Sequence, residues 1–114
     1  MSTVECIPYK HYPMDLDKKT VRLVKAAVLD TDGKVYTGWR HAEILCHMRD
    51  IGCARRGTTD DQGFVDQFGH YYRRRVCSAL TWNSGQMSEY KEPLLSEYLW
   101  DTFGNPIVYK ETHE

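Results

Sequence analysis

The chain has 114 residues and sets 15 Lys and Arg against 16 Asp and Glu, a formal charge of −1. One domain's worth of chain leaves no room for a second, and 41% apolar with 27% charged residues excludes disorder, collagen-like repeats and a coiled coil. Near-neutral charge excludes the strongly basic footprint of a duplex-DNA binder, while leaving room for a local basic pocket around one small anion.

The longest apolar run falls far short of the ~18 residues a membrane span needs. The first residues, Met1 to Pro8, lack the basic and apolar regions of a secretory signal. Both features point to a cytoplasmic protein that does not engage a membrane. Its four cysteines, Cys6, Cys46, Cys53 and Cys77, are then expected to stay reduced and to pack as small hydrophobes. Cys46, His47 and Cys53 lie close together with His41 just before them, but no pair has the Cys-x-x-Cys spacing of a zinc site, so no metal and no cofactor is expected.

Residues 1–20 carry Pro8 and Pro13 and show no clean period. They read as an irregular or extended N-terminal arm, which either adds an edge strand or crosses to a partner subunit. Residues 21–114 read as a single domain. From Val21 to Val28 a β-rich run places apolar residues on both faces. Thr31-Asp32-Gly33-Lys34 is a turn signal, and Lys34 to Gly38 returns as the second strand of a hairpin. From Arg40 to Ile51 the residues Ala42, Ile44, Leu45, Met48 and Ile51 follow helical spacing, with Gly52 as the cap.

Residues 53–61 form a polar loop. Gln62 to Gln67 reads as a strand, Phe68-Gly69 as a turn, and His70 to Arg73 as its return. Arg74 to Ser84 is again helical, with Gly85 beyond its end. Hairpin and helix thus occur twice, the two helix-ending glycines 33 residues apart, without appreciable identity between the halves. Phe103 to Pro106 is a turn, and Ile107 to Tyr109 a last short strand. The expected fold is α+β: a mostly antiparallel sheet of two or more hairpins with two packed helices.

Three clusters carry residues suited to holding a ligand. Arg40 and His41 sit at a strand-to-helix junction, where free backbone N–H groups and the helix dipole favour an anion; the same pair also reads as a surface arginine and a first-turn cap. Gln62-Gly63-Phe64 is followed by His70, Tyr71 and an arginine run. There Gly63 permits close backbone approach, Phe64 or Tyr71 offers a stacking ring, and the arginines grip phosphate. Three successive arginines cannot all face one way, so Arg73 and Arg75 should diverge from Arg74. In the third cluster Gln86 offers an amide to read a base edge, and Trp100 either stacks a ring or anchors the C-terminal segment. Phosphate-loop, dinucleotide-fold, zinc-protease and serine-hydrolase motifs do not occur, and no nucleophile–base pair stands out. The sequence favours binding over catalysis.

Read in order, Arg40-His41-x-x-Ile44, Gln62-Gly-Phe64, Gly69 with the aromatics leading to Arg74, Gly85-Gln86, and Leu94-x-Ser-Glu-x-Leu-Trp100 resemble the Thoeris anti-defence sponge family, first of that name. The resemblance runs from about Val24 to Trp100. Where that family carries two arginines four apart, this chain has His70 for the first and Arg74 for the second. The resemblance implies a phage-encoded, non-enzymatic protein acting in the host cytoplasm. It implies sequestration of a small nucleotide-derived signal, a cyclic ADP-ribose isomer and in some members a cyclic oligonucleotide, and homo-oligomers built on dimers. An enzyme that cleaves such a signal and a protein–protein inhibitor of a host effector are the rival classes.

Overall fold

The computed structural model describes residues 4–52, 61–101 and 103–106. Five strands form one sheet: β1 (Glu5–Pro8), β2 (Leu23–Leu29), β3 (Lys34–Gly38), β4 (Gln62–Asp66) and β5 (Tyr71–Tyr72). Their order is β1-β3-β2-β4-β5, and every neighbouring pair is antiparallel. Two helices, α1 (His41–Asp50) and α2 (Arg74–Asn83), each follow a hairpin. The fold is the α+β arrangement of two hairpin–helix units that the periodicity implies. The expected loop at 53–60 and the expected strand at 107–109 lie outside the described residues.

Both hairpins turn in the same way. Asp30 Oδ1 accepts the backbone N–H groups of Asp32 and Lys34 at 2.8 and 3.0 Å, and Asp66 Oδ1 accepts those of Phe68 and His70 at 2.8 and 2.9 Å. Each loop closes through a glycine at positive φ, Gly33 at 82° and Gly69 at 84°, a region that side-chain-bearing residues avoid. A third copy follows: Asp101 Oδ1 accepts from Phe103 and Asn105 at 2.8 and 2.9 Å, with Gly104 at 87°. This turn joins Trp100 to Pro106 in an isolated antiparallel bridge. The segments DTDGK, DQFGH and DTFGN recur 36 and 35 residues apart. The halves thus share a sequence signal after all, confined to the turns.

The arm is more ordered than its prolines suggest. β1 pairs with β3, Glu5 opposite Thr37 and Pro8 opposite Lys34, which corrects the irregular reading in favour of an edge strand. Proline is tolerated there because an edge strand need not donate every N–H. The chain then crosses to the other edge of the sheet, where Lys10 O accepts the Tyr71 N–H at 3.0 Å. Four residues with mostly exposed side chains leave no alternation for a sequence reading to find.

Both faces of β2 are buried. Ala26 and Val28 join Phe64, Tyr72, Ile44, Met48, Cys77 and Leu80 in the main core beneath the helices. Ala27, Val35, Val65 and Tyr71 form a small second core on the opposite face. Of the cysteines, Cys77 is buried, as expected of a small hydrophobe, but Cys6 and Cys46 are exposed, and Cys53 lies outside the described residues. No described helix is long and apolar enough to cross a membrane.

Candidate functional site

The two helices begin at one point. His41 is the first residue of α1 and Arg74 the first of α2, and they meet over the start of β4. Arg74 Nη2 lies 3.1 Å from His41 Nδ1, and Arg74 Nε donates to the Gln62 carbonyl at 2.9 Å. His41 Nε2 lies 2.7 Å from the Gly63 carbonyl oxygen. A carbonyl only accepts, so Nε2 carries the proton and Nδ1 is left as the acceptor that the guanidinium needs. The imidazole is therefore neutral. Burial is the main reason its pKa falls to about 4, and the Arg74 charge adds to the shift against opposing contributions from the Gly63 carbonyl and Glu97. Burial also lowers the pKa of the half-buried Arg74, which stays charged all the same.

Arg40 and Arg73 occupy the two N-cap positions, and neither helix is capped by a side chain. Two positive dipole ends therefore converge beside a guanidinium, which suits an anion. Arg40 is half-buried, and its Nη1 donates to the Trp39 carbonyl at 3.1 Å. Of the arginine run, Arg74 turns inward while Arg73 and Arg75 are exposed.

Phe64 connects this point to the interior. Its ring stands edge-on to His41 at 5.1 Å and lies 6.0 Å from Trp100. It is 0% exposed, so it packs the core and has no open face for a ligand. Gly63 changes its meaning in the same way. A Cβ there would overlap the Tyr72 carbonyl oxygen and come within 3.1 Å of Arg73 Cα, so the close approach that glycine permits is that of β5.

Beyond Trp100 opens a cleft of about 390 Å³, with Arg22, Trp39, Gln86, Trp100 and Gly104 among its lining residues. The rings of Trp39 and Trp100 lie 5.8 Å apart and tilted by 58°, and Lys25 Nζ sits 5.6 Å from the centroid of Trp39. Gln86 lines the cleft, but its amide is engaged: Oε1 accepts the Leu23 N–H and Nε2 donates to the Leu23 carbonyl, each at 2.8 Å. It substitutes for a neighbouring strand, because the pairing of β3 with β2 stops at Ala26. Gln67 does the same for Thr20 and Arg22, at 2.9 Å each. Trp39 was not among the residues singled out in the sequence; its signal was an aromatic lodged between Gly38 and the Arg40-His41 pair.

Six of the nine sequence-derived site residues thus form one connected group: Arg40, His41, Gln62, Phe64, Arg74 and Trp100, with Gln86 on the wall of the adjoining cleft. His70 stands apart from it, whereas Tyr71 reaches its edge, close enough to act electrostatically on Arg74. His70 Nδ1 lies 2.9 Å from Asp66 Oδ2, which also accepts the Tyr72 hydroxyl at 2.8 Å, so His70 locks the second turn. Burial raises the Tyr72 phenol well above its usual range, and the Asp66 contact adds to this. The Tyr71 hydroxyl donates to the Asp61 carbonyl at 2.7 Å. Among the described residues no cluster of His, Cys, Asp or Glu is placed to hold a metal ion.

A family model for the phage T4 y16D protein matches residues 22–100. The chain belongs to the phage T4 y16D protein family. The span shared with that family starts at the head of β2 and ends on Trp100, so it holds both hairpin–helix units, the helix-tip contacts and both tryptophans of the cleft. The N-terminal arm and the third Asp-x-x-Gly turn fall outside it. No curated protein and no solved structure matches the chain.

Proposed function

We propose that this phage protein is a non-catalytic sponge that binds a nucleotide-derived immune signal of the host, a cyclic ADP-ribose isomer or a cyclic oligonucleotide, and withholds it from its effector. The observation that carries the reading is the tryptophan cleft. At about 390 Å³ it is of small-molecule size, within the roughly 300–1,000 Å³ usual for ligand sites. Trp39, half-buried at the cleft, offers a flat surface for a nucleobase, taking over the stacking expected of Phe64 or Tyr71, while the buried Trp100 backs it. Arg22 at the cleft, with Arg40 and Arg74 at the nearby helix tips, supplies cations for phosphate. The one histidine in this group is neutral, with both ring nitrogens engaged, which favours holding a ligand over acid–base chemistry. In this reading the protein works in the host cytoplasm as a homo-oligomer built on dimers, as the sponge resemblance implies.

The test is to incubate the protein with cyclic ADP-ribose isomers and cyclic dinucleotides, remove free ligand, heat, and chromatograph what is released. Recovery of intact ligand is expected, and Trp39→Ala should abolish it because base stacking contributes about 1–3 kcal/mol. Altered ligand would instead mark an enzyme. No retained ligand would overturn the sponge reading and leave a blocker of protein contacts.

A further inference from the structure

The third Asp-x-x-Gly turn differs from the first two in what its glycine touches. A Cβ at Gly33 or Gly69 would meet nothing within 4 Å, so those glycines serve only their positive φ. A Cβ at Gly104 would overlap Cε2 and Cζ2 of Trp39 and come within 2.9 Å of Cδ2. These are three successive atoms of the six-membered ring, and only an atom above the ring plane is comparably close to all of them. Gly104 therefore lies on the face of the indole and not at its edge. It also lines the tryptophan cleft, whereas Lys25, the cation near the same ring, does not, so the covered face is the one turned to the cleft.

What holds the turn there is slight. The first turn is tied to the arm by the Tyr9 N–H, which donates to the Gly33 carbonyl at 3.1 Å. The second is tied by Lys10 Nζ on the Phe68 carbonyl at 3.3 Å and by the buried Asp66, which takes His70 and Tyr72. The third bonds to itself. The Asp101 N–H donates to the Asn105 carbonyl at 3.0 Å, the Gly104 N–H to the Asp101 carbonyl at 3.1 Å, and Asn105 Nδ2 to Asp101 Oδ2 at 3.1 Å. Beyond the Trp100–Pro106 bridge at its base, none of its described residues bonds elsewhere, and Phe103 at its tip is 85% exposed. Its seat on Trp39 is thus the contact of one glycine, given up without breaking a hydrogen bond of the core.

We propose, on the reading of Trp39 as the ring that stacks a base, that Gly104 is a placeholder on its stacking face. The turn covers the indole until the flat ring of a ligand takes the same face, and so decides access to the cleft. Only a residue without a side chain lets the backbone come that close to the ring. A covered ring binds with an affinity reduced by the fraction of molecules in which the turn is lifted, so loosening the turn strengthens capture. Because the turn falls outside the span shared with the phage family, this control is added to the shared scaffold from beyond it.

The test moves the turn off the ring. Gly104→Asn is the variant, because asparagine tolerates positive φ while its Cβ cannot share the place of the indole, and Gly33→Asn is the control at an open glycine. Asp101→Ala, which removes the acceptor of the turn without adding a side chain, is the second variant. All are made in a full chain carrying Trp82→Phe, which removes the exposed tryptophan. Acrylamide quenching of the remaining fluorescence should rise with Gly104→Asn and Asp101→Ala, stay unchanged with Gly33→Asn, and lose its rise when Trp39→Phe is added. AMP, titrated as a planar-base probe, should bind Gly104→Asn at least about threefold more tightly than the parent chain. Quenching unchanged in both turn variants, or AMP affinity equal in the two chains or undetectable in both, would overturn the placeholder. Cyclic signals retained by the parent chain beside such a result would leave the sponge reading standing. Tighter AMP binding by Gly104→Asn with no cyclic signal retained would instead keep the placeholder and remove the sponge.

Discussion

β2 and β3 pair along four residues before α1 begins, whereas β4 and β5 pair along only two before α2. The shorter hairpin compensates in ways the longer one does not need. In the first turn the residue four after the aspartate is Lys34, exposed; in the second it is His70, buried, its ring on the second oxygen of Asp66. That same oxygen takes the Tyr72 hydroxyl, and the arm adds a backbone bond to Tyr71. The helices differ at the equivalent place too. α1 opens with an imidazole and α2 with a guanidinium, and only that unlike pair can make the bond that joins the helix tips, one side accepting and the other donating. A repeated plan thus supplies the scaffold, and its departures from repetition supply the contacts between the halves.

Glycine gives the strongest test of that comparison. Gly38 ends the first hairpin, and a Cβ there would meet Ile44 Cγ1 at 3.1 Å and Glu43 Oε1 at 3.3 Å, both side-chain atoms able to yield. At Gly63, in the second unit, the obstacle is the backbone of Tyr72, which cannot move without breaking the two-residue pairing of β5. Gly63→Ala should exceed the ~1–3 kcal/mol of ordinary overpacking and abolish cooperative unfolding, whereas Gly38→Ala should cost no more than that range. Thermal unfolding followed by circular dichroism reads both. Equal melting temperatures for the two variants would show that β5 is not held by this contact.

Much of the scaffold was legible because it rests on local signals. The β-rich run over Val21 to Val28, the helical spacing from Ala42 to Met48 and the terminating glycines each encode their element within a few residues. The arm strand was legible only as one of two alternatives, an edge strand or a crossing to a partner subunit, since Glu5 to Pro8 owes its conformation to β3. The site was legible as letters and less so as roles. Arg40, His41, Gln62 and Arg74 do come together. Nothing in their spacing says that Arg74 would bond His41, because that contact depends on how two helices land on one sheet. Phe64 beside Gly63 reads identically whether the open side of the glycine receives a ligand or a neighbouring strand. Gln86 has the amide of a base reader, and the early end of β3 turns that amide to the backbone of Leu23. The turn repeat was visible in the sequence, but only by aligning Asp30, Asp66 and Asp101.

Titration separates the two helix starts, since only α1 opens with a group that changes charge near neutrality. Unfolded, His41 takes a proton near 6.5; folded, only near 4. Between those values the unfolded chain binds more protons, so this contribution is whole above pH 6.5 and is lost as the pH falls toward 4. The gap is worth up to about 3 kcal/mol. Urea unfolding at stepped pH should show that slope, and His41→Gln, whose amide keeps a donor and an acceptor, should flatten it. A slope unchanged in the variant would assign the acid sensitivity to another group.

The smallest effect lies within the arginine run, where neighbours should respond with opposite sign. Arg74 is tied to Gln62 and His41, so Arg74→Glu removes both bonds and leaves the buried Nδ1 of His41 without its donor, a loss of about 1–3 kcal/mol, toward the lower end because the side chain is only half-buried. Arg75 is exposed one position further along the same helix turn, where a positive side chain opposes the dipole. Arg75→Glu reverses that opposition and should stabilise the fold by about 0.3–1 kcal/mol at low ionic strength, the gain fading as salt is added. Urea midpoints of the two variants, measured with and without salt, decide the matter. If both variants destabilise alike, the run acts as one basic patch and α2 has no privileged first residue. If Arg75→Glu gains and Arg74→Glu loses, the helix tip is built around Arg74 alone, the guanidinium that faces the imidazole of α1.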